Sequence, residues 1–307
     1  MSELFSRRMF LCGAVATPFV MPPSAGPHLV FPSEPKKRLA VTSYPFRAYI
    51  ESPTNPARDK SVPGMDLKAF AGMVATRFGV HNINPVGEHL RSTDADYLKA
   101  FREAAAAADS HLVDLGVGGR DFGSTDAAVR DDAVAHAKRW IDVAVAIGSP
   151  SIRPHLKTTQ GMTPNVASTV ESLQRVADYG ALKDVVVNLE NDSPGAEDPF
   201  FIVEVLEKVN SPYLRALADF GNSLRGHDAA YNQKAVDGMF RHAYNISHVK
   251  DVLRTKDGQV YKVDVAGMFG VARARNYKGY FSMEFDTAAG DAFAGTDNLV
   301  KQSLEFM

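Results

Sequence analysis

Four ionisable residues, Glu190, Asp219, His248 and Glu284, stand 29, 29 and 36 residues apart. Each lies at the end of a short apolar run: Val187-Asn188-Leu189-Glu190, Ala218-Asp219, Ser247-His248-Val249 and Ser282-Met283-Glu284. Three carboxylates and one imidazole make an oxygen-rich donor set of the kind that holds one divalent ion, Mn²⁺, Mg²⁺, Co²⁺ or Zn²⁺. With no cation beside it such a cluster would carry a charge of about −3, which is costly to bury. One such residue at a run's end is ordinarily half of a salt bridge. Four at matching positions point to a site, because apolar segments seldom end in ionisable groups.

The elements that would bring these four together follow from a repeat. Eight β-rich runs begin at Leu39, Gly79, Leu112, Ser151, Val185, Leu214, Ile246 and Tyr280, 29 to 40 residues apart. Between most of them, apolar residues recur at three- and four-residue steps, predicting helices over Asp94–Asp109, Thr125–Ile147, Val166–Leu182, Pro199–Val209, Gln233–Tyr244, Val265–Asn276 and Thr296–Phe306. Ser124-Thr125-Asp126 is a helix start and Gly148 a helix stop. Runs that are apolar throughout indicate a parallel sheet covered on both faces. Eight βα units without a long linker predict an α/β fold, a single (β/α)8 TIM barrel over residues 38–307. An open doubly wound sheet is the weaker reading, because the first run ends Thr42-Ser43-Tyr44-Pro45-Phe46-Arg47 without a glycine-rich phosphate loop.

In such a barrel the working residues sit at the C-terminal strand ends. That rule adds Arg153 and His155 closing the fourth run, Asn84 and His89 at and after the end of the second, Asn222 after the sixth and Lys250 at the end of the seventh as candidate substrate contacts. Glu51–Gly64, rich in Pro, Gly and Ser, is expected to loop over the same face, with a lid among its readings.

The chain's 307 residues, 45% hydrophobic with a net charge of −2, exclude a disordered class and give no electrostatic footprint for nucleic acid. The single cysteine, Cys12, excludes a Cys-based zinc site and a redox pair. Ser6-Arg7-Arg8-Met9-Phe10-Leu11, the apolar stretch to Val20 and the small residues before Gly26 resemble a twin-arginine export signal over residues 1–25. The expectation is recognition by the twin-arginine export machinery, a periplasmic location, a linker over residues 26–37 and no membrane contact once the signal is removed. The oligomeric state stays open, a homo-oligomer included.

Leu-Glu-Asn-Asp, Asp-Phe-Gly-Asn, His-Val-Lys-Asp and Met-Glu-Phe-Asp, in that order and spacing, resemble the sugar phosphate isomerase/epimerase family of the xylose isomerase-like TIM barrel superfamily. The resemblance implies that Glu190, Asp219, His248 and Glu284 hold the metal. It also implies that Glu190 and Glu284 are the acid/base pair, one removing a proton next to a carbonyl and the other returning it. Arg254 stands where ketose 3-epimerases carry a substrate-contacting Arg. Asn222 stands where those epimerases have a His, and Asn84 where many relatives have a Glu; both are departures. The DNA repair enzyme endonuclease IV, in the same superfamily, needs further His ligands, and Thr255–Val265 contains none.

The expected function is a metal-dependent isomerase or epimerase. Export would favour an unphosphorylated sugar or keto-sugar as its carbohydrate substrate. A lyase of the 3-keto-glycoside or inosose dehydratase type begins with the same proton removal and is the alternative. A non-catalytic carbohydrate-binding barrel comes third, since it has no need of two glutamates.

Overall fold

The computed structural model describes residues 26–158 and 163–307; the expected export signal, residues 1–25, lies outside the described residues. Nine parallel strands make the barrel: β1 (Leu39–Thr42), β2 (Asn82–Asn84), β3 (His111–Leu112), β4 (Leu115–Arg120), β5 (Ser151–Leu156), β6 (Val186–Glu190), β7 (Leu214–Asp219), β8 (Ala243–Val249) and β11 (Tyr280–Met283). They are hydrogen-bonded in the order β3-β2-β1-β11-β8-β7-β6-β5-β4. A parallel bridge from Val86 to Gly116 joins the segment after β2 to β4 and closes the ring. β3 and β4 form one stave, interrupted at Val113-Asp114. The eight expected runs are therefore eight staves, the third of them split. The remaining two strands, β9 (Val252–Arg254) and β10 (Val260–Lys262), pair antiparallel as a hairpin after the seventh stave.

Among the described residues, eight α-helices surround the sheet: α1 (Phe70–Phe78), α2 (Ala95–Ala107), α3 (Ala127–Ile147), α4 (Val166–Lys183), α5 (Pro199–Val209), α6 (Ala229–Phe240), α7 (Val265–Ala274) and α8 (Ala292–Phe306). Short polar side chains set their starts. Asp126, Asn165, Asp198, Asp228, Asp264 and Asp291 each accept a hydrogen bond from a backbone N–H of the first turn. Two sequence expectations missed such caps. α6 begins after Asp228, four residues before Gln233, and α8 after Asp291, before Thr296. The nine-residue α1 was not expected, because its apolar pattern is short. It stops at Gly79, whose φ of +62° suits glycine.

The largest apolar cluster lies between sheet and helices. A much smaller one comprises Ala40, Val113, Leu217 and Ile246 with Tyr280 against it. Beside it the barrel carries a polar network. Asn84, Asp114, Ser151, Asn188 and Asn245 are all buried and hydrogen-bonded to one another or to the staves. The expectation of strands apolar throughout thus holds for their outward faces, while alternate inward positions are polar.

Residues 26–37, expected as a linker, pack under the barrel. Phe31 meets Tyr244 and Tyr280 edge-on, with centroids 5.5 and 5.8 Å apart. The Tyr244 hydroxyl donates to the Pro27 carbonyl and accepts from Leu29 N–H. Among the described residues no helix is long and apolar enough to cross a membrane.

Candidate active site

The C-terminal ends of the staves surround a cavity of about 480 Å³, with Glu190, Glu284, Lys250 and Arg153 in its wall. Glu190 and Asp219 are the last residues of β6 and β7, His248 is one short of the end of β8, and Glu284 follows β11. Asp219 is the cross-strand partner of His248, whereas Glu190 lies opposite Leu217, two residues before Asp219, and Glu284 two residues beyond Ser282, the other partner of His248. Glu190, Asp219, His248 and Glu284 each offer a ligand atom within 4.8 Å of the others, and all four are buried.

His248 is central. Its Nδ1 lies 2.7 Å from Glu190 Oε1 and 3.2 Å from Glu284 Oε2, and its Nε2 lies 2.8 Å from Asn84 Oδ1. Asn84 Nδ2 in turn donates to Asp114. With Nε2–H held by Asn84, Nδ1 is the nitrogen presented to the two glutamates, the orienting role typical of groups behind a metal-binding histidine. Burial works to lower the His248 pKa, but Glu284 and Glu190 outweigh it and raise it to about 10. Burial likewise works to raise both glutamates. Arg153 and His248 instead hold Glu190 at about 2, and His248 and Lys250 hold Glu284 well below the usual carboxylate range. Asp219 goes the other way: burial lifts it to about 6, only partly offset by Lys250.

The donor set fits a divalent cation. Asp219 Oδ1 is satisfied by the N–H groups of Gly221 and Asn222, whereas Oδ2 is buried without a hydrogen-bond partner. Lys250 Nζ is 3.1 Å from that oxygen, an ion pair without hydrogen-bond geometry. An unpartnered carboxylate oxygen beside two glutamates and an imidazole is a hard-cation arrangement. The charge differs from the sequence expectation of about −3. Lys250, 2.8 Å from Glu284, and Arg153, 2.7 Å from Glu190, stand among the acids and bring the local balance close to neutral.

The expected substrate contacts separate into two groups. Arg153, His155, Lys250 and Arg254 line the cavity, Arg254 from the β9–β10 hairpin. Asn84, His89 and Asn222 do not. Asn84 is fully buried beneath His248, and His89 is buried against Ser43 Oγ at 2.8 Å. Asn222 Oδ1 accepts from Lys250 Nζ and Arg225 Nη2, so it holds two cations in place. The lid reading of Glu51–Gly64 is also corrected. Ser52 and Thr54 bond to the carbonyls of Glu88 and Leu90, fastening the segment to the loop after β2. Leu253 to Lys256 of the hairpin overhang the cavity instead. Sequence reasoning missed Asp114, Asn191 and Glu197. Asn191 accepts from Asp219 N–H and donates to Ser223 Oγ and the Asp219 carbonyl. Its only sequence signal was adjacency to Glu190.

A family profile described as xylose isomerase-like TIM barrel matches residues 74–307. No curated protein matches the sequence. Among solved structures, D-allulose 3-epimerase from Methylomonas sp., crystallised with D-allulose, is 19% identical with a TM-score of 0.63, covering 91% of this chain and 98% of its own. The 3-keto-D-glucoside 4-epimerase from E. coli is 14% identical with a TM-score of 0.63, covering 86% and 98%. A xylose isomerase-like TIM barrel protein from Mycobacterium smegmatis, in complex with magnesium, is 15% identical with a TM-score of 0.62, covering 87% and 97%. At these identities the likeness is one of fold.

Proposed function

The chain belongs to the xylose isomerase-like TIM barrel family, and we propose on that footing that it is a divalent-metal-dependent isomerase or epimerase, removing the proton next to a carbonyl of an unphosphorylated sugar or keto-sugar. The observation that carries this is the convergence of Glu190, Asp219, His248 and Glu284 within 4.8 Å, the two glutamates in the cavity wall and Asp219 Oδ2 unpartnered. Those four residues would hold the ion, which when bound supplies polarisation of the substrate carbonyl oxygen.

The protein's own groups supply the rest. Glu190 and Glu284 stand three staves apart around the ring and reach the cavity from different sides. One takes the α-proton and the other returns it, a contribution of roughly 10²–10⁴-fold for each positioned carboxylate. Lys250 Nζ, buried beside Glu284, can donate to an oxygen that gains charge as the proton leaves. Arg254 and Arg225 offer hydrogen bonds to hydroxyls higher in the cavity, whose wall His155 also lines. The solved epimerases of like fold favour a sugar as substrate. The periplasmic location read from Arg7-Arg8 and the apolar stretch behind them is part of the proposal, and it is what favours unphosphorylated sugars.

The test is incubation of the Mn²⁺-loaded protein with ketohexoses and 3-keto-glucosides in D₂O. Deuterium at the α-carbon of recovered sugar supports the proposal; release of a free aglycone would move the assignment to a lyase. Absence of exchange with every sugar would leave only a binding barrel.

A further inference from the structure

Resting on the metal site proposed above, we infer that Glu197 and His155 are positioning residues. They hold Arg153 in an ion pair with Glu190 that lacks the two-pronged fork, so that the second oxygen of that carboxylate stays available to the cation. Glu197 lies in the turn between β6 and α5 and is 5% exposed. Its Oε1 accepts from His155 Nδ1 at 2.8 Å and from Leu156 N–H at 3.0 Å, and its Oε2 accepts from Ser193 Oγ at 2.8 Å. This carboxylate is fully engaged, and it points at His155, away from the four-residue cluster.

The far side of the His155 ring meets Arg153, whose Nη1 is 2.7 Å from Nε2. A guanidinium can only donate. Nε2 is therefore the bare nitrogen, and Nδ1 carries the proton that Glu197 accepts. The two partners together impose one neutral tautomer on His155. The same Nη1 lies 2.7 Å from Glu190 Oε2, an ion pair without hydrogen-bond geometry. Short contacts thus run without a break from Glu197 through His155 and Arg153 to Glu190.

The form of the last contact is the informative part. A guanidinium facing a carboxylate ordinarily engages both oxygens with a two-pronged fork. Here Arg153 is buried, yet its Nε has no hydrogen-bond partner. Glu190 Oε1 is left 2.7 Å from His248 Nδ1, inside the ligand cluster. His155 draws Nη1 sideways, and a gap at Gly116 receives the other end: a β-carbon there would fall 2.7 Å from Nη2. Without the anchor on Nη1, the guanidinium would be free to turn and take both oxygens of Glu190, in direct competition with a metal.

Mn²⁺ alone serves as the probe, titrated into the full chain while the signal of free Mn²⁺ is followed by electron paramagnetic resonance, with circular dichroism of each variant as the check on folding. Glu197→Ala and His155→Phe should weaken Mn²⁺ binding about 10–100-fold, the range for groups behind a metal ligand. His155→Gln, whose amide can accept from Arg153 and donate to Glu197, should stay within about threefold of wild type, against that 10–100-fold loss. Glu190→Gln should lose binding altogether. If Glu197→Ala and His155→Phe bind as wild type does while Glu190→Gln fails, the positioning role is wrong and the metal site stands. If His155→Gln is as weak as His155→Phe, His155 acts by bulk packing and the inference falls. If the wild-type chain takes up no Mn²⁺, the metal reading falls and takes the inference with it. Should Glu197→Ala not fold, the His155→Phe and His155→Gln pair decides alone.

Discussion

The two ends of the barrel are built from opposite materials. At the N-terminal end, Phe31, Tyr244 and Tyr280 pack edge-on, and Arg38 donates to the Tyr277 and Gly279 carbonyls. At the C-terminal end, three acids, an imidazole, a lysine and an arginine crowd together at the base of one cavity, all of them buried. The apolar end gains stability from area and ring contacts. The polar end concentrates desolvated charge, which is expensive unless a ligand or reaction makes use of it. Stability and chemistry are thus divided between the floor and the mouth of one sheet, as parallel barrels permit.

That division predicts effects of different kinds and sizes. The largest belong to the mouth: Glu190→Gln or Glu284→Gln should lower proton exchange by roughly 10²–10⁴-fold, read by deuterium incorporation. Loss of less than tenfold would break the assignment of these groups as acid and base.

A second prediction asks whether the mouth also carries stability. His89, after β2, is held down to about 4, by burial first and by Arg47 second. Its unfolded value is about 6.5. The folded chain therefore binds fewer protons than the unfolded chain between these values, and stability falls as pH drops from about 6.5 to about 4. The loss is of order 3 kcal/mol. His89→Asn, which keeps an acceptor for Ser43, should be less acid-sensitive by up to that amount of about 3 kcal/mol, measured by urea unfolding near neutral and near pH 4. Equal acid sensitivity in both proteins would show that His89 is not a proton-excluding group.

The floor is tested by Phe31→Ala. It should cost about 2 kcal/mol of stability through lost ring contacts and area, with Mn²⁺ binding unchanged. A change in Mn²⁺ affinity would mean that floor and mouth are coupled. The smallest effect sits between the two ends, in the polar interior. Asn84→Ala frees His248 Nε2 and should weaken Mn²⁺ binding about tenfold, read by the same titration.

The sequence discloses these regions unequally. Staves are legible because outward-facing apolar residues repeat at βα spacing, and the four ligands because each ends such a run. The pairing of Arg153 with Glu190 is not legible, since nothing local says which acid on a neighbouring stave a buried cation will meet. Glu197 is hidden in Pro194-Gly195-Ala196-Glu197, which reads as an ordinary turn. Asn84 could be placed at the end of a strand but not beneath His248, because its inward depth depends on the stagger of the closed barrel. The β9–β10 hairpin was obscured by its polar, glycine-containing sequence, Thr255-Lys256-Asp257-Gly258.

The central claim is that one divalent ion is held jointly by Glu190, Asp219, His248 and Glu284. Elemental analysis of the purified chain, paired with Mn²⁺ titration of wild type and Asp219→Asn, tests it most directly. The account predicts about one ion per chain for wild type and loss of binding in Asp219→Asn, with the barrel still folded by circular dichroism. A wild-type chain that binds no divalent ion, or an Asp219→Asn chain that binds as tightly as wild type, would contradict it.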